Sequence, residues 1–219
     1  TLYHYCAMKE YEEIGIKLCN NILVESKESL MSIQNVELSL EEKLIQIANK
    51  KNSHKDTILH TALSGSCLKV FYTVMEAVKG LENISTQLFD ALSDENGEGL
   101  TFFGSALNSS LPDKELVICL EFCQTIKSKR GKLNDTLYRS VDNLGNSLFH
   151  HVVKKDRVEF IKYLQNKPVP VDTLDDLGLT ALHVAASKND TNTFDKLTDF
   201  LRHRIDVNER TRDRETSLH

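Results

Sequence analysis

The chain has 219 residues, 27 basic and 32 acidic side chains, a formal net charge of −5 and 40% hydrophobic residues. That balance excludes a broadly phosphate-binding surface, and no apolar run nears the ~20 residues that a bilayer span needs. No signal-peptide pattern opens the chain, and a start at Thr1 without Met reads as a cut or processed piece. Five cysteines at irregular spacing (Cys6, Cys19, Cys67, Cys119 and Cys123) fit small buried residues in a reducing compartment, the cytoplasm or the cytosol of a host cell, better than a disulfide framework.

In chain order, Thr1-Leu2-Tyr3-His4-Tyr5-Cys6 sets a hydroxyl three places before a histidine in an apolar run. A hydroxyl there caps a helix, its oxygen accepting from the free amides of the first turn. Ser39-Leu40-Glu41-Glu42 has the pattern of a capping box. It predicts an extra helix over 39–50, inside an insert near 20–55, with Leu40, Leu44, Ile47 and Ala48 on one side. The box returns as Thr57-Ile58-Leu59-His60, and Cys67, Val70, Phe71, Val74 and Met75 form the stripe of a second helix. A fairly polar insert near 81–94 reads as a longer hairpin or an added turn of helix.

Thr101-Phe102-Phe103-Gly104 is a weaker box with glycine in the histidine slot. After Pro112, suited to a first helical turn, Leu116, Cys119, Leu120, Cys123 and Ile126 recur at helical spacing. A further insert near 128–141 precedes Ser147-Leu148-Phe149-His150, followed by a stripe of Val158, Phe160, Ile161 and Leu164. Thr180-Ala181-Leu182-His183 is followed by Phe194, Leu197, Phe200 and Leu201, and Thr216-Ser217-Leu218-His219 begins a sixth box. The boxes start at 1, 57, 101, 147, 180 and 216, so successive spacings are 56, 44, 46, 33 and 36 residues. Gly99, Gly145 and Gly178, two places before a hydroxyl, suit the positive φ of a tight turn. Such turns would open at Asn96, Asp142 and Asp175. A turn plus two helices cannot bury its apolar face alone, so the units are expected to stack.

The last two spacings and the boxes resemble the ankyrin-repeat family, whose period is ~33 residues and whose signature is T-P-L-H-x-A. The resemblance is strongest over 142–219. It departs from the family in lacking proline in the second slot, where Leu2, Ile58, Phe102, Leu148, Ala181 and Ser217 stand. It implies one all-α domain over 1–219, an ankyrin-repeat solenoid of stacked helix-turn-helix units with irregular inserts. It also implies that His4, His60, His150, His183 and His219 are structural brackets, hydrogen-bonding backbone at the turn between units. The expected function is a protein–protein interaction scaffold that contacts a partner with its turn tips and concave face. The alternative is the non-catalytic targeting arm of a larger enzyme, such as a secreted bacterial effector.

No catalytic constellation emerges from the residues themselves. His60 and Cys67 lack anything resembling a nucleophile loop, and Cys119 with Cys123, four apart on one helix face, lack further ligands for a metal. Gly97 and Gly99 are not a phosphate loop. No cofactor, nucleic acid, membrane or small-molecule substrate is expected. His151 is expected at the surface. The segment Arg202–Arg214, which holds five of the eight arginines among acids, reads as a solvated hairpin or as a protein-binding edge. Aligned on the box hydroxyls, the candidate partner-binding row comprises Asp142, Asn143, Leu144 and Asn146, then Asp175, Asp176, Leu177 and Leu179, then Arg210, Arg212, Asp213 and Arg214. Leu144 and Leu177 share one slot, and exposed apolar side chains flanked by charge suit a binding patch.

Overall fold

The computed structural model describes residues 38–65, 67–130, 142–166, 169–188, 191–201, 203–204 and 206–218. The first box, Cys6, Cys19, Arg202, His219, half of the insert near 20–55 and most of that near 128–141 lie outside them. Among the described residues every regular element is helical. In chain order these are α1 (Leu40–Ala48), α2 (Ile58–Ser64), α3 (Leu68–Lys79), α4 (Thr86–Leu92), α5 (Phe102–Asn108), α6 (Asp113–Arg130), α7 (Leu148–Lys154), α8 (Ile161–Leu164, entered through a 3-10 turn at Val158–Phe160), α9 (Ala181–Ser187) and α10 (Thr191–Leu201).

Two rows of helices form the stack. α2, α5, α7 and α9 pack successively as an inner row, each against the next. In the outer row α3 packs on α6, α6 on the 3-10 turn, and α8 on α10. Each inner helix has only seven residues, too short to persist alone in water. Its stability comes from its N-cap hydroxyl (Thr57, Thr101, Ser147 or Thr180) and from burial on several sides. The aromatic core crosses the unit boundaries. Phe71 of α3 meets Phe122 of α6 edge-on, with centroids 5.6 Å apart, and Phe103 of α5 lies 6.3 Å from Phe160 in the next unit.

The insert near 81–94 is neither a polar hairpin nor a single added turn. It holds α4, whose Leu88, Phe89, Ala91 and Leu92 are buried, together with Ile84 before it. α4 packs against α1, so these two helices form a third row beside the stack. α1 carries a complete capping box, with Ser39 Oγ accepting from Glu42 N (3.2 Å) and Ser39 N donating to Glu42 Oε2 (2.7 Å).

The junction between the third and fourth units has a separate fastening. The Arg157 guanidinium donates to the carbonyls of Leu107 (2.8 Å), Leu111 (2.6 Å) and Ser109, and lies 3.3 Å from Asp113 Oδ1. These carbonyls belong to the C-terminal end of α5 and the loop after it, where a helix leaves acceptors unpaired.

Candidate functional site

Five turns precede the inner-helix boxes of the second to sixth units: 52–56, 96–100, 142–146, 175–179 and 211–215. Each is closed by the same bonds. The first residue's N–H donates to the fifth carbonyl at 2.9–3.1 Å, and the fourth N–H returns to the first carbonyl at 2.8–3.1 Å. The first side chain acts as a backbone mimic. Asn52 Oδ1 accepts from His54 N and Asp56 N, Asn96 Oδ1 from Glu98 N and Leu100 N, Asp142 Oδ1 from Leu144 N and Asn146 N, and Asp175 Oδ1 from Leu177 N and Leu179 N. Thr211 Oγ1 accepts from Glu215 N in the last turn. The fourth residue has positive φ throughout. Gly99, Gly145 and Gly178 adopt 76–78°, as their positions suggest, but Lys55 (61°) and Arg214 (64°) hold the same conformation with side chains attached.

Adjacent tips are joined by backbone. Gly97 N donates to His54 O (2.8 Å), Asn143 N to Glu98 O (2.8 Å) and Asp176 N to Leu144 O (3.1 Å). Tips two to five therefore form one continuous ladder, although their units differ in length. Side chains pack between tips in a complementary way. Asn143, Asp176 and Arg212, second in their turns, each lie over the fourth-position glycine of the preceding tip, where an added Cβ would meet them at 2.6–2.7 Å. Between tips two and three the pattern differs. Lys55 occupies the glycine position, and Gly97, second in its turn, has no side chain; a Cβ there would sit 2.7 Å from His54 O.

The box histidines lock each tip to the helix before it. His60 Nδ1 accepts from Thr57 N (3.2 Å), and its Nε2 lies 2.7 Å from Leu100 O. His150 does the same with Ser147 N (3.1 Å) and Leu179 O (2.9 Å), and His183 with Thr180 N (3.2 Å) and Glu215 O (3.3 Å). A peptide N–H can only donate, so Nδ1 is unprotonated and Nε2–H donates to the carbonyl. The ring is thus held neutral, and burial pushes the pKa of His60 and His150 down, partly opposed by the carbonyl bond. Gly104 has no side chain to make this bond, and that junction relies on Arg157.

His151 corrects an expectation. It is 4% exposed rather than at the surface. Its slot, also held by Thr61, Ser105 and Val184, faces the unit's own tip, and Ser105 and Val184 are buried there too. Nε2 of His151 lies 3.5 Å from Asp142 Oδ2 without forming a hydrogen bond. Burial pushes its pKa down to about 4, with the Asp142 carboxylate pulling the other way.

The candidate row divides by burial. Leu144 and Leu177 stand at their tips 67% and 72% exposed, so neither is covered by a neighbouring tip. Asn143, Asp176, Arg210, Arg212, Asp213 and Arg214 are exposed, and Asp142 is half-buried. Asn146 and Asp175, expected to face a partner, are instead buried. Asn146 Nδ2 bonds the Asp142 carboxylate (2.9 and 3.1 Å), and the Asp175 side chain is used within its own turn. Leu179 is half-buried against the core. The sequence reading missed a polar hollow of about 660 Å³ on the concave side of tips two and three, walled by Ser64, Ser105 and Asn108 of the inner helices, by Ser109 just after α5, and by Lys55, Asp56 and Glu98 of the tips.

Among the described residues no cluster of His, Cys, Asp or Glu could hold a metal, and no helix is long and apolar enough to cross a membrane. Cys67, Cys119 and Cys123 are buried, and the last two are free thiols. Burial pushes the Cys119 thiol up to about 12 and Cys123 well above its ordinary value.

Residues 118–219 match the family described as ankyrin repeats, in three copies. That segment belongs to the ankyrin-repeat family. The whole chain also aligns with solved ankyrin structures. It is similar to an ankyrin repeat domain from Acinetobacter baumannii AYE (16% identity, 99% of this chain and 87% of that one, TM-score 0.61). It is also similar to the ankyrin repeat domain of Bcl-3, described as a unique member of the IkappaB protein family (17%, 100% and 92%, 0.56), and to that of human ASB11 (15%, 100% and 90%, 0.54). At these identities the likeness concerns fold alone. No curated protein sequence matches the chain. Ankyrin repeats are protein-interaction modules, and the fold is typically a non-catalytic scaffold.

Proposed function

We propose that this ankyrin stack is a scaffold that binds a partner protein through the outer edge of its turn tips and the concave face beneath them. The observation that carries the reading is the pair Leu144 and Leu177, exposed in one slot on tips that the backbone ladder holds rigid. A rigid frame loses little entropy on association, and apolar anchors with a charged rim are what a binding patch uses. Arg212 supports the same face, since its side chain crosses the fifth tip at Gly178, beside Leu177. The test is the triple change Leu144→Ser, Leu177→Ser and Arg212→Glu, compared with the wild type for the proteins captured from cell lysate. Loss of a captured partner from a variant with unchanged circular dichroism supports the site. Full retention of every partner would move it elsewhere.

A further inference from the structure

The tips differ in chemistry along the ladder, and the order of those differences specifies a ligand. The outermost slot holds His54, Glu98, Leu144 and Leu177 from tip two to tip five. At tip two the adjacent Lys55 is exposed and held at φ 61° where the next three tips have glycine. A strained non-glycine residue in a glycine position is an observed outlier of the kind that marks functional positions. Lys55 and Glu98 are both exposed, and their side chains make no ion pair among the described residues. They border the polar hollow walled by Ser64, Ser105 and Asn108, whereas the leucine tips stand clear of it. With Lys55 beside His54 at the second tip, the row reads basic, acidic, apolar, apolar.

We infer that the tip row binds an extended segment of a partner protein whose side chains, in order, are acidic opposite Lys55, basic opposite Glu98 and apolar opposite Leu144 and Leu177. This rests on the tips being the binding surface. The spacing follows from the stack. Packed helices lie about 8–10 Å apart, and an extended chain advances about 3.3 Å per residue, so each tip meets every third residue. The ligand pattern is acid-x-x-base-x-x-Leu-x-x-Leu, or the same order read in the opposite chain direction. The two charged side chains enter the hollow, where hydroxyl and amide groups satisfy their remaining hydrogen bonds; the Asp56 carboxylate in the lining already accepts from the Asn52 and Asn96 amides.

Fluorescence anisotropy with labelled synthetic peptides tests the order. One peptide is Asp-Ser-Ser-Arg-Ser-Ser-Leu-Ser-Ser-Leu, the second is its reversed sequence, and each has a control with Asp and Arg exchanged. Wild-type protein is expected to bind one of the two ordered peptides about tenfold more tightly than its control, the scale of turning two exposed ion pairs from attraction to repulsion. The double variant Lys55→Glu, Glu98→Lys, with an unchanged melting curve, should prefer the exchanged peptide. Equal affinities for ordered and exchanged peptides, absence of binding by all four, or an unreversed preference in the double variant would each overturn the inference. The tip surface itself would survive such a result if Leu144→Ser with Leu177→Ser still abolished partner capture.

Discussion

Replacing His150 with alanine takes a ring from a fully buried site and removes both ring nitrogens as partners: Nδ1, which Ser147 N and Ser147 Oγ share at 3.1 and 2.8 Å, and Nε2, bonded to Leu179 O of the next tip. Leu179 O keeps the N–H of Asp175, but Ser147 N loses the imidazole acceptor that held it. The bonding of the two nitrogens at about 1 kcal/mol net each, with about 1–2 kcal/mol for the stranded amide, gives a cost of about 3 kcal/mol. His183→Ala should cost less, about 2 kcal/mol, because its inter-unit bond is longer at 3.3 Å. Urea unfolding at pH 7.5, followed by circular dichroism, orders the two variants by midpoint. The pH dependence supplies a second arm. His60 and His150 have pKa values held below 6.5 in the fold, so the unfolded chain takes up protons that the folded chain refuses. Their contribution is fully present above about pH 6.5 and is lost as the pH falls below it. His150→Ala should flatten that decline. A cost below about 0.5 kcal/mol, the range of ordinary surface changes, or a His183→Ala cost above that of His150→Ala, would refute the bracket geometry.

Gly145→Ala should cost more than Gly178→Ala by about 1 kcal/mol or more: both positions carry the strain of positive φ, but the new methyl meets Asp176 backbone at 2.7 Å in one case and the movable Arg212 side chain in the other. Equal thermal shifts would contradict that difference. Arg157→Ala should lower stability by about 2–4 kcal/mol by stranding carbonyls after α5, and Arg157→Lys should restore only part of it, because an ammonium lacks the planar fork that reaches three acceptors; full rescue by lysine in urea titrations would show that charge alone suffices. His151→Gln should remove about 3 kcal/mol of the stability that the wild type loses between pH 6.5 and about 4, where the unfolded chain binds a proton that the buried ring does not, and an unchanged pH profile of melting would place that loss on other groups.

The repeated boxes were legible in the sequence because each combines a cap and a bracket whose chemistry is local: Thr180 and His183 sit three residues apart and bond each other directly. The turns were legible where glycine marks them and partly hidden at Lys55 and Arg214, whose left-handed backbone is imposed by the bonds around it rather than by residue type. α4 escaped because seven residues are too few to display a period, and its partner α1 lies 44 residues away by the bond from Ser85 N to Glu41. Arg157 and His151 escaped for related reasons. The acceptors of the first are 44–50 residues upstream, and the burial of the second depends on a tip folding over its own helix. At the candidate site, Leu144 and Leu177 were read from their shared slot, whereas the hollow beneath tips two and three is made by residues from two units and leaves no pattern in either.

The pattern at Lys55 and Gly97 bears on how such an array can evolve. The fourth-position glycines of tips three, four and five leave room for Asn143, Asp176 and Arg212 of the following tip, whereas Lys55 carries a Cβ in that position and Gly97, in the tip after it, carries none. A tip with glycine in its fourth position accepts any of those three as its successor, but the tip carrying Lys55 requires a successor with glycine in the second position. The repeats are therefore not freely interchangeable modules. A duplication or deletion that set the second tip against the fourth would bring the Cβ of Lys55 against Asn143, so gene rearrangements in this stretch are constrained to move tips two and three as a matched pair.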